Sequence, residues 1–187
     1  MRKEYGNALR RMFTERMRSQ LPDWRAVPPP KPWYWPGERL FVNERHAPVW
    51  LVVVLQPDLG DHDAFNIEIG WSALGRVPEL GMRPCPDDSH GVDPAAWDEY
   101  LCRLSSLLPT ERRLYGWVDG WVVDERTFSA DPAATMAALV ERQTRISAEQ
   151  ARAKLAPFVD DAWSALRDRG LPFLDEKVRL LTAHRLR

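Results

Sequence analysis

At 187 residues, with 44% hydrophobic and 28% charged side chains, the chain has the size and balance of one folded domain that needs no cross-links to hold its core. Two cysteines, Cys85 and Cys102, argue against a disulfide framework or a four-cysteine zinc centre and fit reduced thiols in a cytoplasmic protein. The net charge of −1 hides a division: Met1 to Gln20 carries six basic residues against two acids (net +4), while Gln56 to Glu99 carries ten acids against Arg76 and Arg83 (net −8), which disfavours nucleic acid and favours a basic partner or a merely solvated surface.

The first segment reads as an amphipathic helix, because Tyr5, Leu9, Met12, Phe13, Met17 and Leu21 recur at helical spacing between Arg and Glu. It lacks the apolar core of a signal peptide, and the longest apolar run, "VWLVVVL" (Val49 to Leu55), is too short to span a membrane. A cytoplasmic protein without membrane contact is therefore expected. Pro22 ends the helix. "PPPKPWYWPGE" (Pro28 to Glu38) is too rich in proline for a helix or a central strand and reads as an extended surface connection. Within it Trp33, Tyr34 and Trp35 either fold back as a lid on the sheet, the usual fate of large rings, or stay available to a partner.

Three strands follow. "ERLFVNE" (Glu38 to Glu44) alternates weakly, and "PVWLVVVLQ" (Pro48 to Gln56) is apolar on both faces, as in a strand covered on both sides. In "AFNIEIGWS" (Ala64 to Ser72), Phe65, Ile67, Ile69 and Trp71 face one way and Asn66, Glu68, Gly70 and Ser72 the other. A loop to about Gly91 precedes "DPAAWDEYLCRLSSLL", read as a helix with an Asp cap and Pro at its first position. "RRLYGWVDGWVV" (Arg112 to Val123) reads as a fourth strand. "DPAATMAALVERQTRI" repeats the Asp-Pro helix start at Asp131. Ser147 and Gln150 have capping-box spacing ahead of a stripe of Leu155, Phe158, Val159, Ala162, Trp163 and Leu166. Pro157 should kink that helix, Gly170 should end it, and a short final helix should follow.

This order predicts a single α+β domain. An N-terminal helix and an antiparallel meander of about four strands begin within residues 1–72, and a helix-rich remainder covers about 92–187.

The stretch most suggestive of chemistry is "QPDLGDHD" (Gln56 to Asp63), where Asp58, Asp61 and Asp63 surround His62. The acids lack the register and distant glutamate of a calcium loop, and Pro, Gly and Asp suffice for a hairpin turn, so no metal site is expected. "CPDDSH" (Cys85 to His90) places a thiol near a histidine, but nothing activates the cysteine, and a polar loop is the simpler reading. Glu68 is a candidate acid or base only if its strand face lines a cleft. The sequence contains no phosphate-binding glycine loop, HExxH, GxSxG or dinucleotide fingerprint. Neither catalytic residues nor a cofactor are assigned.

The basic helix, the strand ending in Gln56, the polar hairpin and the strand carrying Phe65, Ile67, Ile69 and Gly70 together resemble a group of small bacterial domains of unknown function. Members of that group are linked to immunity proteins of polymorphic toxin systems. The resemblance covers about Met1 to Ser72 and carries over no catalytic residue. It implies stoichiometric binding of a protein partner such as a basic toxin domain. The acidic residues Asp58, Asp61, Asp63, Asp87 and Asp88, with His62, Trp33 and Trp35, are then the candidate interface. Two alternatives belong to other classes: an enzyme with a small-molecule cleft over the sheet, using Glu68 or His62, and an adaptor that oligomerises through the aromatic stretch.

Overall fold

The computed structural model describes residues 1–32, 34–59, 63–79, 98–109, 120–124, 126 and 129–185. Its element order is α1 (Lys3–Gln20), β1 (Arg25–Val27), β2 (Arg39–His46), β3 (Val49–Pro57), β4 (Ala64–Ser72), β5 (Glu99–Arg103), a 3-10 turn (Leu104–Leu107), β6 (Trp121–Val122), α2 (Pro132–Gln143), α3 (Ala148–Ala165), a π segment (Leu166–Gly170) and α4 (Leu171–Arg185). The class is α+β, as expected. Every strand pair is antiparallel, in the order β1-β2-β3-β4-β5, with β6 also pairing β4 beyond the end of β5.

The alternation in β4 becomes two buried faces. Phe65, Ile67, Ile69 and Trp71 join Phe41, Leu51, Val53, Leu55, Tyr100 and Cys102 beneath the helices. Onto this face α1 lays Tyr5, Leu9, Met12, Phe13 and Met17, the stripe read from its spacing. Phe13 sits between sheet and helix, 5.9 Å from Phe41 and 5.7 Å edge-on from Trp163 of α3. On the other face Leu40, Val42, Val52, Val54 and Leu101 form a second, smaller core with Tyr34. The both-sided apolar character of β3 has this cause.

The helix read over "DPAAWDEYLCRLSSLL" is corrected by β5. Residues 99–103 pair with Glu68–Ser72 and run into the 3-10 turn. Tyr100, Leu101 and Cys102 are all buried, and alternating contact with both cores outweighs the helical propensity of the stretch. Gly70 allows the pairing: a Cβ there would lie 1.9 Å from the Tyr100 carbonyl oxygen. Among the described residues there are six strands, against about four expected. Arg25–Val27 was not anticipated, and of the strand read at Arg112 to Val123 only Trp121–Val122 is a described strand.

Gly170 does not end a helix. The π segment passes through it into α4, and Gly170 is buried where a Cβ would lie 2.9 Å from Leu104 Cδ1. A side chain here would have to displace the Leu104 methyl, so the glycine serves close packing and is not a stop signal. α3 runs through Pro157 from Ala148 to Ala165, and the departure from α geometry comes after it, at Leu166–Gly170. The Asp131 cap and the complete Ser147/Gln150 capping box are present as read.

Candidate functional site

The end of β3 and the start of β4 place Asp58 and Asp63 against the N-terminal end of α1. Asp63 is not on the surface. Its carboxylate is fully buried, taking Arg2 N at 2.9 Å on Oδ1, and Arg2 Nε and Nη2 each at 2.8 Å on Oδ2. Arg142 of α2 adds a second cation at 3.9 Å. The Met1 amino group donates to the Asp58 carbonyl at 2.8 Å, and Val123 N donates to the Asp63 carbonyl at 2.8 Å. Here the basic first segment and the acidic middle meet inside the molecule. Asp63 is thereby corrected from an interface acid to an internal counter-ion. Asp58 is half-buried, while Asp61, His62, Asp87, Asp88 and Trp33 lie outside the described residues, as do Cys85 and His90.

The aromatic stretch divides. Tyr34 turns inward, donating its hydroxyl to the Pro78 carbonyl at 2.8 Å, whereas the Trp35 ring is more than half exposed. The expected lid is therefore Tyr34, and Trp35 is available on the surface. Trp35 N donates at 2.9 Å to Glu38 Oε2, and Gln56 Nε2 donates at 2.7 Å to Glu38 Oε1. In register, Gln56 lies opposite Asn66, and Glu68 lies between Val54 and Arg103. Glu38, Asn66 and Glu68 are all buried. The polar face of β4, read as solvent- or cleft-facing, thus forms a buried polar layer beside the second core.

Beside the Arg2–Asp63 pair lies an open cleft of about 500 Å³. Tyr5, Val123, Ile146 and Phe158 give it apolar surface; Arg2, Asp124, Arg126, Glu141, Thr144 and Lys154 give it polar surface. Arg126 bridges two elements. It donates to Asp124 at 2.9 and 2.8 Å, and to Glu141 at the end of α2 at 3.2 and 2.6 Å. These bonds hold the Asp124 and Glu141 carboxyls below the usual carboxylate range. Burial pushes the Tyr5 phenol up, partly offset by the Arg2 guanidinium 4.7 Å from its ring.

Above this cleft, α2 reverses the usual amphipathic arrangement. Its only buried residue is Ala138, and Arg142 turns inward with it, while Met136, Leu139 and Val140 are exposed by 59%, 40% and 60%. Spacing alone did not reveal this surface. Apolar residues occur on most sides of "PAATMAALV", and only the packing shows that the small alanine faces in and the large side chains face out. Arg126 was missed for a similar reason, since its partner Glu141 is distant in sequence.

Among the described residues, no group of three or more His, Cys, Asp or Glu side chains is placed to hold a metal ion, and no helix is long and apolar enough to cross a membrane. No protein-family model matches the chain, and no curated protein or solved structure matches it.

Proposed function

We propose that this chain is a non-catalytic binding protein that grips a protein partner through the outward face of α2. The observation that carries the reading is the exposure of Met136, Leu139 and Val140 at i, i+3 and i+4 on one helix. Large apolar side chains are normally turned into a core, and an outward row at this spacing is the pattern by which a helix fills an apolar groove. Three side chains fall well short of the roughly 800 Å² each partner contributes to a standard interface, so the row acts as the anchor of a wider contact. Exposed Trp35 and Leu59 are further contact residues of the same kind.

In its finer form, the partner is a toxin domain that the chain neutralises by stoichiometric binding. This rests on the resemblance of residues 1–72 to domains linked to immunity proteins, with Asp58 as a rim contact and Asp63 no longer part of the interface.

The test is a photo-cross-linking residue placed at position 136 or 140, and at exposed Arg179 as a control, in the source cells. The protein captured is then produced separately and titrated against wild type and Val140→Glu. One-to-one binding that Val140→Glu abolishes supports the proposal. Equal capture from position 179, equal binding by the variant, or cross-links only to a second copy of the chain would reject it.

A further inference from the structure

The attachment of α2 differs from that of the other helices. A helix of twelve residues is marginal alone and normally relies on an apolar face packed against a core. α2 buries only Ala138. Among the described residues, its long-range hydrogen bonds and ion pairs converge on two consecutive residues of its last turn. Arg126 holds the Glu141 carboxylate, Arg2 Nη1 donates to the Glu141 carbonyl at 3.5 Å, and Arg142 lies 3.9 Å from Asp63. Glu141 and Thr144 at this end also form one side of the 500 Å³ cleft. By contrast, α1 and α3 bury Phe13, Leu155, Val159 and Trp163 in the main core.

We infer that α2 is a movable wall of the cleft, latched by charge. The latch is the Asp124–Arg126–Glu141 chain, which bridges the strand end after β6 to the helix. Breaking it leaves the last turn of α2 with the longer contacts of Arg2 to the Glu141 carbonyl (3.5 Å) and of Arg142 to Asp63 (3.9 Å), and so loosens that turn and opens the cleft to Tyr5, Val123 and Phe158 while the sheet and the main core stay intact. The Arg126–Glu141 pair of the latch is exposed on both sides and screened by salt; the buried Arg2–Asp63 pair beneath is screened far less. Opening is thus confined to α2. The inference does not depend on the identity of any partner.

Hydrogen exchange read by mass spectrometry tests it on the full chain. Wild type, Arg126→Gln and Glu141→Gln are compared at low salt, and wild type again at about 0.5 M NaCl, where screening acts within a few ångströms. Both variants and high salt should accelerate exchange across 134–143 several-fold, with β3, β4 and α3 unchanged. Two variants from opposite sides of the latch guard against one of them simply misfolding. Acceleration throughout the chain, or none in α2, would overturn the proposal. Because no partner is present, this failure would leave the binding reading untouched.

Discussion

Arg2 and Asp63 are 61 residues apart in sequence and joined by three contacts of 2.8 to 2.9 Å. The pairing fixes the N-terminal end of α1 to the β3–β4 connection. The two partners are unequally exposed: the Arg2 side chain retains 16% of its surface and the Asp63 side chain none.

That asymmetry predicts unequal costs. Arg2→Ala strips a buried carboxylate of its guanidinium partner and leaves it the backbone N–H of residue 2, at 2.9 Å, and Arg142, at 3.9 Å. Its loss should approach the roughly 3–5 kcal/mol typical of breaking a buried pair. Asp63→Ala leaves Arg2 and Arg142, two long side chains that keep some exposure and can turn further to water, and should cost less. Urea unfolding of the two variants ranks them. An equal loss, or a larger one for Asp63→Ala, would show that Arg2 is not the better solvated partner.

The same pair shows what the sequence could and could not reveal. Charge blocks of +4 and −8 were visible, but the pairing of Arg2 with Asp63 depends on α1 packing beside the β3–β4 connection, a long-range arrangement that no local pattern encodes. β4 was read to its exact ends because strict alternation survives only in a strand. Its neighbour β5 was misread because Trp97, Leu101, Leu104 and Leu108 satisfy helical spacing as well, and only the edge of β4 decides between them. The capped helix starts were legible since Asp-Pro and Ser-x-x-Gln act locally, through hydrogen bonds at their own backbone. The outward face of α2 was not, because its orientation is set by partners distant in sequence.

Gly70 makes a second prediction. A methyl group there would meet the Tyr100 carbonyl carbon at 2.8 Å as well as its oxygen, and both belong to backbone that is held by the β4–β5 ladder. Gly70→Ala should therefore reach the top of the roughly 1–3 kcal/mol range for overpacking, or exceed it. Loss of amide protection in β5 should accompany it. A variant as stable as wild type would mean that β5 does not approach β4 this closely.

Tyr5 predicts alkaline behaviour. Burial raises its phenol, so the folded state favours the protonated form. A raised value contributes stability that is complete below the unfolded phenol value of about 10 and is lost as pH rises through the folded value. The stability difference between wild type and Tyr5→Phe should be flat at neutral pH and should move against wild type above about pH 10, where the unfolded phenol titrates. A difference curve without pH dependence would place the Tyr5 hydroxyl in water.

The α2 surface is the sharpest test of the fold against the function. If Met136 and Val140 point outward, a carboxylate at either position meets only solvent. Val140→Glu should then change stability by no more than about 0.5 kcal/mol, the range of ordinary surface substitutions. Ala138→Glu, two positions away on the same helix, puts a charge into a fully buried position and should detach α2 or destabilise the chain severely. Thermal unfolding with far-ultraviolet circular dichroism separates the two variants. If both are equally harmful, the apolar row of α2 belongs to the core and the binding surface must be sought around Trp35. If only Ala138→Glu is harmful, Val140→Glu becomes the variant of choice for binding experiments, since any affinity it loses cannot be attributed to unfolding.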